Sequence, residues 1–257
     1  MSMLSFLEVF RFRRRDSPIH RMDPRVKALY VFVASIISII YYSLTAMITI
    51  FISTIPLIAI AKVHREWIRS LRGALFLTSM IVVVNMFAGY LSGGLTLTVE
   101  TVSYAFSMGL RFLTFTSIFS IFFLTTTPED LSLALEKLKV PYDYCFAFTS
   151  AIRFVPDLAL EIQTVIDAQR SRGLELEKGN IVRRIRNYIP ILIPVFIRSF
   201  TRSIELAEAM EARGYGASEK RTSIYELNMK HSDYAIASFL LCILAISILL
   251  RVYANWY

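Results

Sequence analysis

Long uncharged, apolar stretches alternate with charged segments over the first half of the chain. The first stretch, Ala28 to Ala61, has 34 residues without a formal charge. A single helix of that length would be too long for one crossing, since it rises about 1.5 Å per residue and the hydrocarbon core is about 30 Å thick. Tyr41-Tyr42-Ser43 predicts a turn, because paired tyrosines favour the membrane interface. The stretch therefore predicts two short spans.

Three further apolar runs continue this pattern. One uncharged run lies between Arg72 and Glu100 and contains the turn-prone Ser92-Gly93-Gly94. Another helix is predicted from about Thr101 to Thr127, and a last one from Tyr234 to Leu250. Together these runs predict an all-α, polytopic membrane protein with about five transmembrane helices.

Residues 128–233 break the membrane pattern, because they carry 30 of the 48 charged side chains and yet keep helical periodicity. Thr127-Pro128-Glu129-Asp130 predicts a helix start, with a capping hydroxyl and a proline in the first turn. Two long helices are predicted to follow, from about Tyr142 to Arg172 and from about Tyr188 to Arg213, each stopped by a glycine. Pro156 is predicted to kink the first long helix, and Pro190 and Pro194 to kink or start the second.

The distribution of basic residues predicts the orientation. Lys and Arg cluster in the loop from Lys62 to Arg72 and in the N-terminal tail, at Arg11, Arg13, Arg14, Arg15, Arg21, Arg25 and Lys27. Cytoplasmic segments are enriched in these residues. We therefore expect a protein of the cell membrane with four regions. These are a cytoplasmic tail (1–27), a four-span domain (28–127), a cytoplasmic helical region (128–230) and a C-terminal span (231–257) that ends outside.

Composition narrows the function classes. The chain is 55% hydrophobic with a mean hydropathy of +0.54, which argues against a soluble domain. Its net charge of +8 gathers beside apolar runs near the start of the chain, which speaks against nucleic-acid binding. Two distant cysteines predict no disulfide framework, and the absence of a Gly-Lys pair excludes a Walker-type phosphate loop.

Both long helices carry an apolar stripe that ends in an arginine. On the first helix Ala151, Leu158 and Val165 recur every seven residues, and Arg172 is next; Phe148, Val155 and Ile162 form a parallel series. On the second helix the series is Leu192, Ser199 and Leu206, followed by Arg213. The stripes predict helix packing, with Ser171-Arg172-Gly173 and Ala212-Arg213-Gly214 at the tips.

An arginine at such a tip suits insertion into an acidic groove. Its guanidinium can clamp a carboxylate bidentately, and the exposed carbonyls of a helix C-terminus favour its charge. The alternative is an ordinary helix C-cap of Arg followed by Gly. The sequence leaves both interpretations open, although the repetition at Arg172 and Arg213 favours the first.

Five motifs follow one another along the chain: Met22-Asp23-Pro24-Arg25-Val26-Lys27, Thr127-Pro128-Glu129-Asp130-Leu131, Arg153-Phe154-Val155-Pro156, Ala168-Gln169 through Arg172-Gly173, and Glu211-Ala212-Arg213-Gly214-Tyr215-Gly216. In this order they resemble the transmembrane component of energy-coupling factor transporters, a group that includes the cobalt/nickel and biotin permease subunits. The resemblance covers about residues 20–250. At the first Ala-Arg-Gly signature Ser171 replaces alanine.

The resemblance implies a non-catalytic scaffold without a cofactor or a metal. Its two long helices would cross in the cytoplasm as coupling helices, with Ser171, Arg172, Gly173, Ala212, Arg213 and Gly214 contacting two ABC-type ATPases. Another surface would hold a substrate-binding membrane subunit for vitamin or transition-metal uptake.

Other candidate sites are weaker. His20, His64 and His231 have no metal-ligand spacing. Arg111 lies inside a predicted span, where it either marks a functional site or pairs with a carbonyl or snorkels outward. Asn85 predicts an interhelical hydrogen bond, with a place on a transport pathway as the alternative. The rival functions are a self-sufficient secondary carrier and an intramembrane enzyme, but neither the internal repeats of the first nor the nucleophile–base pair of the second is evident.

Overall fold

The computed structural model describes residues 17–92, 98–175, 180–217, 227 and 229–254. These residues form eight helices: α1 (Pro24–Ile40), α2 (Leu44–Ala61), α3 (His64–Ser92), α4 (Val99–Thr125), α5 (Pro128–Lys137), α6 (Tyr142–Ser171), α7 (Ile181–Ala212) and α8 (His231–Ala254). They belong to two compact units, one with α1–α5 and α8, the other with α6 and α7. The all-α prediction is confirmed.

Local sequence signals explain most of the helix starts. The Asp23 carboxylate caps α1 by accepting from the Arg25 N–H at 2.9 Å, and Pro24 opens the helix. The Ser43 hydroxyl caps α2, so Tyr41-Tyr42-Ser43 separates two helices as predicted. The Thr127 hydroxyl accepts from the Asp130 N–H at 3.0 Å and starts α5. Short polar side chains at these positions satisfy free amide groups.

Two predicted boundaries were wrong. The predicted loop from Lys62 to Arg72 is mostly helical, because α3 already begins at His64 and a left-handed Lys62 (φ 56°) makes the turn. Helix α7 begins at Ile181, seven residues before the predicted Tyr188, and continues through Pro190 and Pro194. Proline lowers helix stability without always ending the helix, so these residues misplaced the start. Gly93 and Gly94 of the predicted outer turn lie outside the described residues.

Helices α1 to α4 of the first unit run in alternating directions. At one end, Ile19 packs with Ala61, Val63 and Ile121, which lie at the end of α2, in the turn just before α3 and near the end of α4. At the other end, the Tyr41 hydroxyl donates to the Ser247 carbonyl late in α8, and the Ser107 hydroxyl donates to the Tyr42 carbonyl. The first end therefore collects the N-terminal turn and the α2–α3 turn.

Lys27 fastens that first end. Its ammonium group donates to the carbonyl of Thr125, the last residue of α4, at 2.8 Å, and to the His20 carbonyl at 3.3 Å. A basic side chain suits this position, because the exposed carbonyls of a helix C-terminus favour positive charge.

Four of the described helices are long and apolar enough to cross a membrane, namely α2, α3, α4 and α8. Helix α1 coincides with the remaining predicted span and has 17 residues, about 26 Å of regular helix. The polytopic membrane class is confirmed. The interhelical hydrogen bond predicted for Asn85 was wrong. The Asn85 amide donates to the Ile81 carbonyl of its own helix at 2.8 Å rather than to a neighbouring helix.

Candidate functional site: two arginine-bearing helix ends

The second unit is an antiparallel pair of long helices. The Gln169 amide near the end of α6 donates to the Pro190 carbonyl in the first half of α7. In the middle, Arg198 on α7 contacts Glu161 on α6 at 3.2 Å. The Tyr215 hydroxyl, just after α7, donates to Asp143 at the start of α6 at 2.8 Å. This order of contacts places Arg172 and Arg213 at opposite ends of the pair.

Helix α6 ends in a Schellman motif. The Gly173 N–H donates to the Arg170 carbonyl at 2.9 Å, and the Leu174 N–H donates to the Gln169 carbonyl at 3.0 Å. Gly173 has a φ of 86°, which an L side chain rarely adopts. Arg172 is the helix cap, with φ −86° and ψ 6°.

Helix α7 ends in the same motif. The Gly214 N–H donates to the Glu211 carbonyl at 2.9 Å, and the Tyr215 N–H donates to the Met210 carbonyl at 2.9 Å. Gly214 has a φ of 76°, and Arg213 is the cap with φ −91° and ψ 7°. The two signatures therefore share one backbone geometry, and each requires glycine at the same position.

Both signatures are exposed, including Ser171, Arg172 and Gly173 at one end and Ala212, Arg213 and Gly214 at the other. Within the described part of the chain, neither guanidinium has a hydrogen bond or an ion pair. Helix α7 has 32 residues, so about 48 Å of helix separates its two ends. The predicted residues therefore form two separate sites rather than one.

The contact between the helices differs in part from the predicted stripes. Val165 of the predicted α6 series is buried and packs against Ile191, which is 3% exposed. Leu192 of the predicted α7 series is 49% exposed. Ser199 and Leu206 of that series are partly buried, so the prediction differs from the structure only in the first half of α7, where Ile191 rather than Leu192 packs against α6.

Charged groups also join the two helices, a feature that the sequence analysis missed. The Glu161 side chain is 12% exposed and lies between Arg198 and Arg202, whose nitrogen atoms are 3.2 and 3.9 Å from its two oxygens. Arg202 also lies 4.0 Å from Asp157 and 5.9 Å from the Phe154 ring centroid. No spacing rule in one sequence pairs residues on separate helices, so this cluster had no detectable signal.

Pro156 lies inside α6, which is assigned as one continuous helix. A proline there removes the hydrogen bond to the Ile152 carbonyl, and this loss is the reason to expect a bend. The bend itself remains a prediction.

Within the ranges that the structure describes, no group of three or more His, Cys, Asp and Glu side chains could hold a metal ion.

Comparison with known proteins agrees with this architecture. A family model described as cobalt transport protein, CbiQ, matches residues 15–224. The energy-coupling factor transporter transmembrane protein EcfT of Clostridium kluyveri is 33% identical over 270 residues, covering 98% of this chain and 99% of that protein. The proteins of the same name from Staphylococcus aureus and Ruminiclostridium cellulolyticum are 32% and 33% identical, covering 90% and 86% of this chain and 92% and 88% of their own lengths.

Helices that can span a membrane, together with these matches, define a membrane-embedded transporter component. The chain belongs to the CbiQ family, whose relatives include the transmembrane proteins of energy-coupling factor transporters.

Proposed function

We propose that the chain is the scaffold and coupling subunit of an ABC-type energy-coupling factor importer. In this proposal Arg172 and Arg213, with their neighbours Ser171, Gly173, Ala212 and Gly214, dock on two ABC-type ATPases and transmit their movement to a substrate-binding membrane subunit. The observation that carries the proposal is the repeated geometry: two exposed arginines, each capping a long helix in the same Schellman motif.

The chemistry of these ends favours an acidic groove as the docking partner. Each arginine has five donor hydrogens, and no described residue of the chain engages them. Bidentate pairing with a carboxylate would use this fork and fix its orientation. Because the two ends belong to one helix pair, α6 and α7, movement of both ATPases would act on the same pair of helices. We expect the transported substrate to be a vitamin or a transition-metal ion.

The proposed orientation places the N-terminal tail and the arginine-bearing region in the cytoplasm and the C-terminus outside. This orientation is supported by basic residues at one end of the first unit, the end at which Ile19 packs. Among them are Arg21, Arg25, Lys27 and Lys62. Cytoplasmic ends of spans are enriched in such residues.

The test is alanine substitution at Arg172, at Arg213 and at both positions. Loss of an interfacial arginine facing a buried carboxylate costs about 2–5 kcal/mol of binding free energy. Each single substitution should therefore weaken the binding of ATPase to the chain by more than tenfold. The double variant should abolish substrate uptake. Lysine should rescue in part, because it keeps the charge and loses the fork. Co-purified ATPase and substrate accumulation in vesicles measure these effects.

Arg170→Ala is the matched control, since Arg170 is an exposed arginine in the last turn of α6, two residues before Arg172. It should retain ATPase and uptake like the unmodified chain. Wild-type assembly and uptake in the Arg172→Ala/Arg213→Ala chain would disprove the proposal and leave both motifs as ordinary helix caps.

A further inference from the structure

Each arginine-bearing loop is fastened by the opposite helix of the pair. At the α6 end, Leu174, the residue after Gly173, packs in the cluster that contains Ile191 of α7. At the α7 end, Tyr215, the residue after Gly214, reaches the start of α6. The same position of the Schellman motif thus makes the contact at both ends, with different chemistry.

Gln169 adds a polar fastening at the first end. Pro194 has no N–H, so the Pro190 carbonyl four residues earlier lacks its donor within α7. The Gln169 side-chain amide donates to that carbonyl at 3.3 Å, while the Gln169 main-chain carbonyl accepts from Leu174. One residue therefore closes the loop beside Arg172 and joins it to α7.

Tyr215 has the corresponding role at the second end. Its hydroxyl donates to Asp143 at 2.8 Å, and its ring centroid lies 5.8 Å from that of Phe146 and 6.4 Å from that of Tyr142. Its main-chain N–H donates to Met210 and closes the loop beside Arg213. The side chain supplies a hydrogen bond to a charged acceptor together with aromatic contact.

We propose that Gln169 and Tyr215 are positioning residues that hold Arg172 and Arg213 in fixed places from the opposite helix. What the arginines dock on rests on the proposed function above, whereas the fastening is a property of this chain. Because both loops are tied to both helices, neither arginine can shift without moving the pair. The helix pair therefore moves as one rigid body, and a displacement of one end is transmitted to the other end.

The fastening predicts local and end-specific loosening. Nitroxide labels at Arg170→Cys and Glu211→Cys, in full-length chain with Cys145 and Cys242 replaced by alanine, report mobility of each loop in lipid nanodiscs. Gln169→Leu should shorten the rotational correlation time at position 170 and leave position 211 unchanged. Tyr215→Phe, which keeps the ring and removes the hydroxyl, should shorten the rotational correlation time at position 211 and leave position 170 unchanged. Unchanged spectra, or equal loosening at both ends, would overturn the proposal.

Matched controls separate fastening from general loss of helix stability. Gln163→Leu removes an α6 glutamine whose amide bonds to Asp167 of the same helix at 2.9 Å. Tyr144→Phe removes the hydroxyl of a tyrosine that is 71% exposed near the start of α6. Neither control should change either spectrum. Gln169→Lys, which keeps a long donor, should restore the slower motion.

Pro194→Ala tests the assigned cause of the Gln169 bond. Alanine supplies the missing N–H to the Pro190 carbonyl, which competes with the Gln169 amide. Gln169→Leu should therefore loosen position 170 less in a Pro194→Ala chain than in the unmodified chain. Strictly additive effects would show that the carbonyl is not the acceptor that matters.

A functional measurement distinguishes the two proposals. Tyr215→Phe should speed ATPase loss from the purified complex by at most about 10- to 100-fold, the range that a lost hydrogen bond to a charged group commonly represents. If label mobility rises as expected and Arg213→Ala leaves assembly intact, the proposed docking role is wrong and the fastening stands. If Arg213→Ala prevents assembly and Tyr215→Phe changes neither mobility nor retention, the fastening is wrong and the docking role stands.

Discussion

Arg111 shows how a partly buried charge can pair with the chain's own backbone. Its guanidinium donates to the Tyr41 carbonyl at 2.8 Å and lies 4.7 Å from the Tyr42 ring centroid. Tyr41 follows the last residue of α1, so its carbonyl has no continuing helix to supply a donor. Of the two roles that the sequence left open, the structure therefore supports pairing with a carbonyl.

Arg111→Met should destabilise the chain by about 1–3 kcal/mol, because it removes the charged donor of the Tyr41 carbonyl. Arg111→Lys should cost less, since the ammonium can still donate but cannot stack on Tyr42. Thermal unfolding in detergent measures both effects. Arg251→Met in the last turn of α8 is the control, and an equal fall in melting temperature for both arginines would contradict this role.

Helices α3 and α4 approach each other closely where glycine replaces a side chain. A methyl group at Gly109 of α4 would lie 2.5 Å from the Val82 Cγ2 atom and 3.3 Å from the Thr78 Cγ2 atom of α3. A methyl group at Gly89 of α3 would meet Thr101 of α4. In a membrane the hydrophobic effect contributes little between helices, so such close contact carries much of the association energy.

Gly109→Ala should therefore lower stability by about 1–3 kcal/mol, the usual cost of overpacking. Gly73→Ala is the matched control, because no atom lies within 4 Å of a methyl group there. That change should raise stability by up to about 1 kcal/mol through helix propensity. Chemical unfolding of both variants decides the matter, and Val82→Ala should partly rescue Gly109→Ala. A stabilising Gly109→Ala would refute close packing at this position.

At the scale of elements, the sequence predicted what local chemistry determines. Thr127, Ser43 and the two Arg-Gly pairs mark helix ends through capping, which depends on a few adjacent residues. It did not predict the bond from Gln169 to Pro190 or the cluster around Glu161, because these depend on which helices pack together. The prolines at 190 and 194 carried a usable signal, since two carbonyls of α7 must lack their helical donors.

At the scale of the whole molecule, described basic residues of the first unit concentrate at one end. Arg21, Arg25, Lys27 and Lys62 lie at the end that contains the α2–α3 turn and the end of α4, while Arg111 lies near the opposite turn at Tyr41. Charge asymmetry that the sequence shows only as a linear pattern thus becomes asymmetry between two ends of one bundle. This arrangement is what orients helices during insertion.

Side-specific labelling of single cysteines, introduced in a chain without Cys145 and Cys242, tests the orientation. Thr45→Cys at the start of α2 and Tyr253→Cys at the end of α8 should react with a membrane-impermeant maleimide added outside intact cells. Lys137→Cys at the end of α5 should react only after the cells are opened, because α4 returns the chain to the basic end. Reaction at Lys137→Cys from outside would reverse the orientation. Protection of Thr45→Cys with labelling of Tyr253→Cys would instead show that one of α2, α3, α4 and α8 does not cross the membrane, since an odd number of crossings would then lie between the two labels.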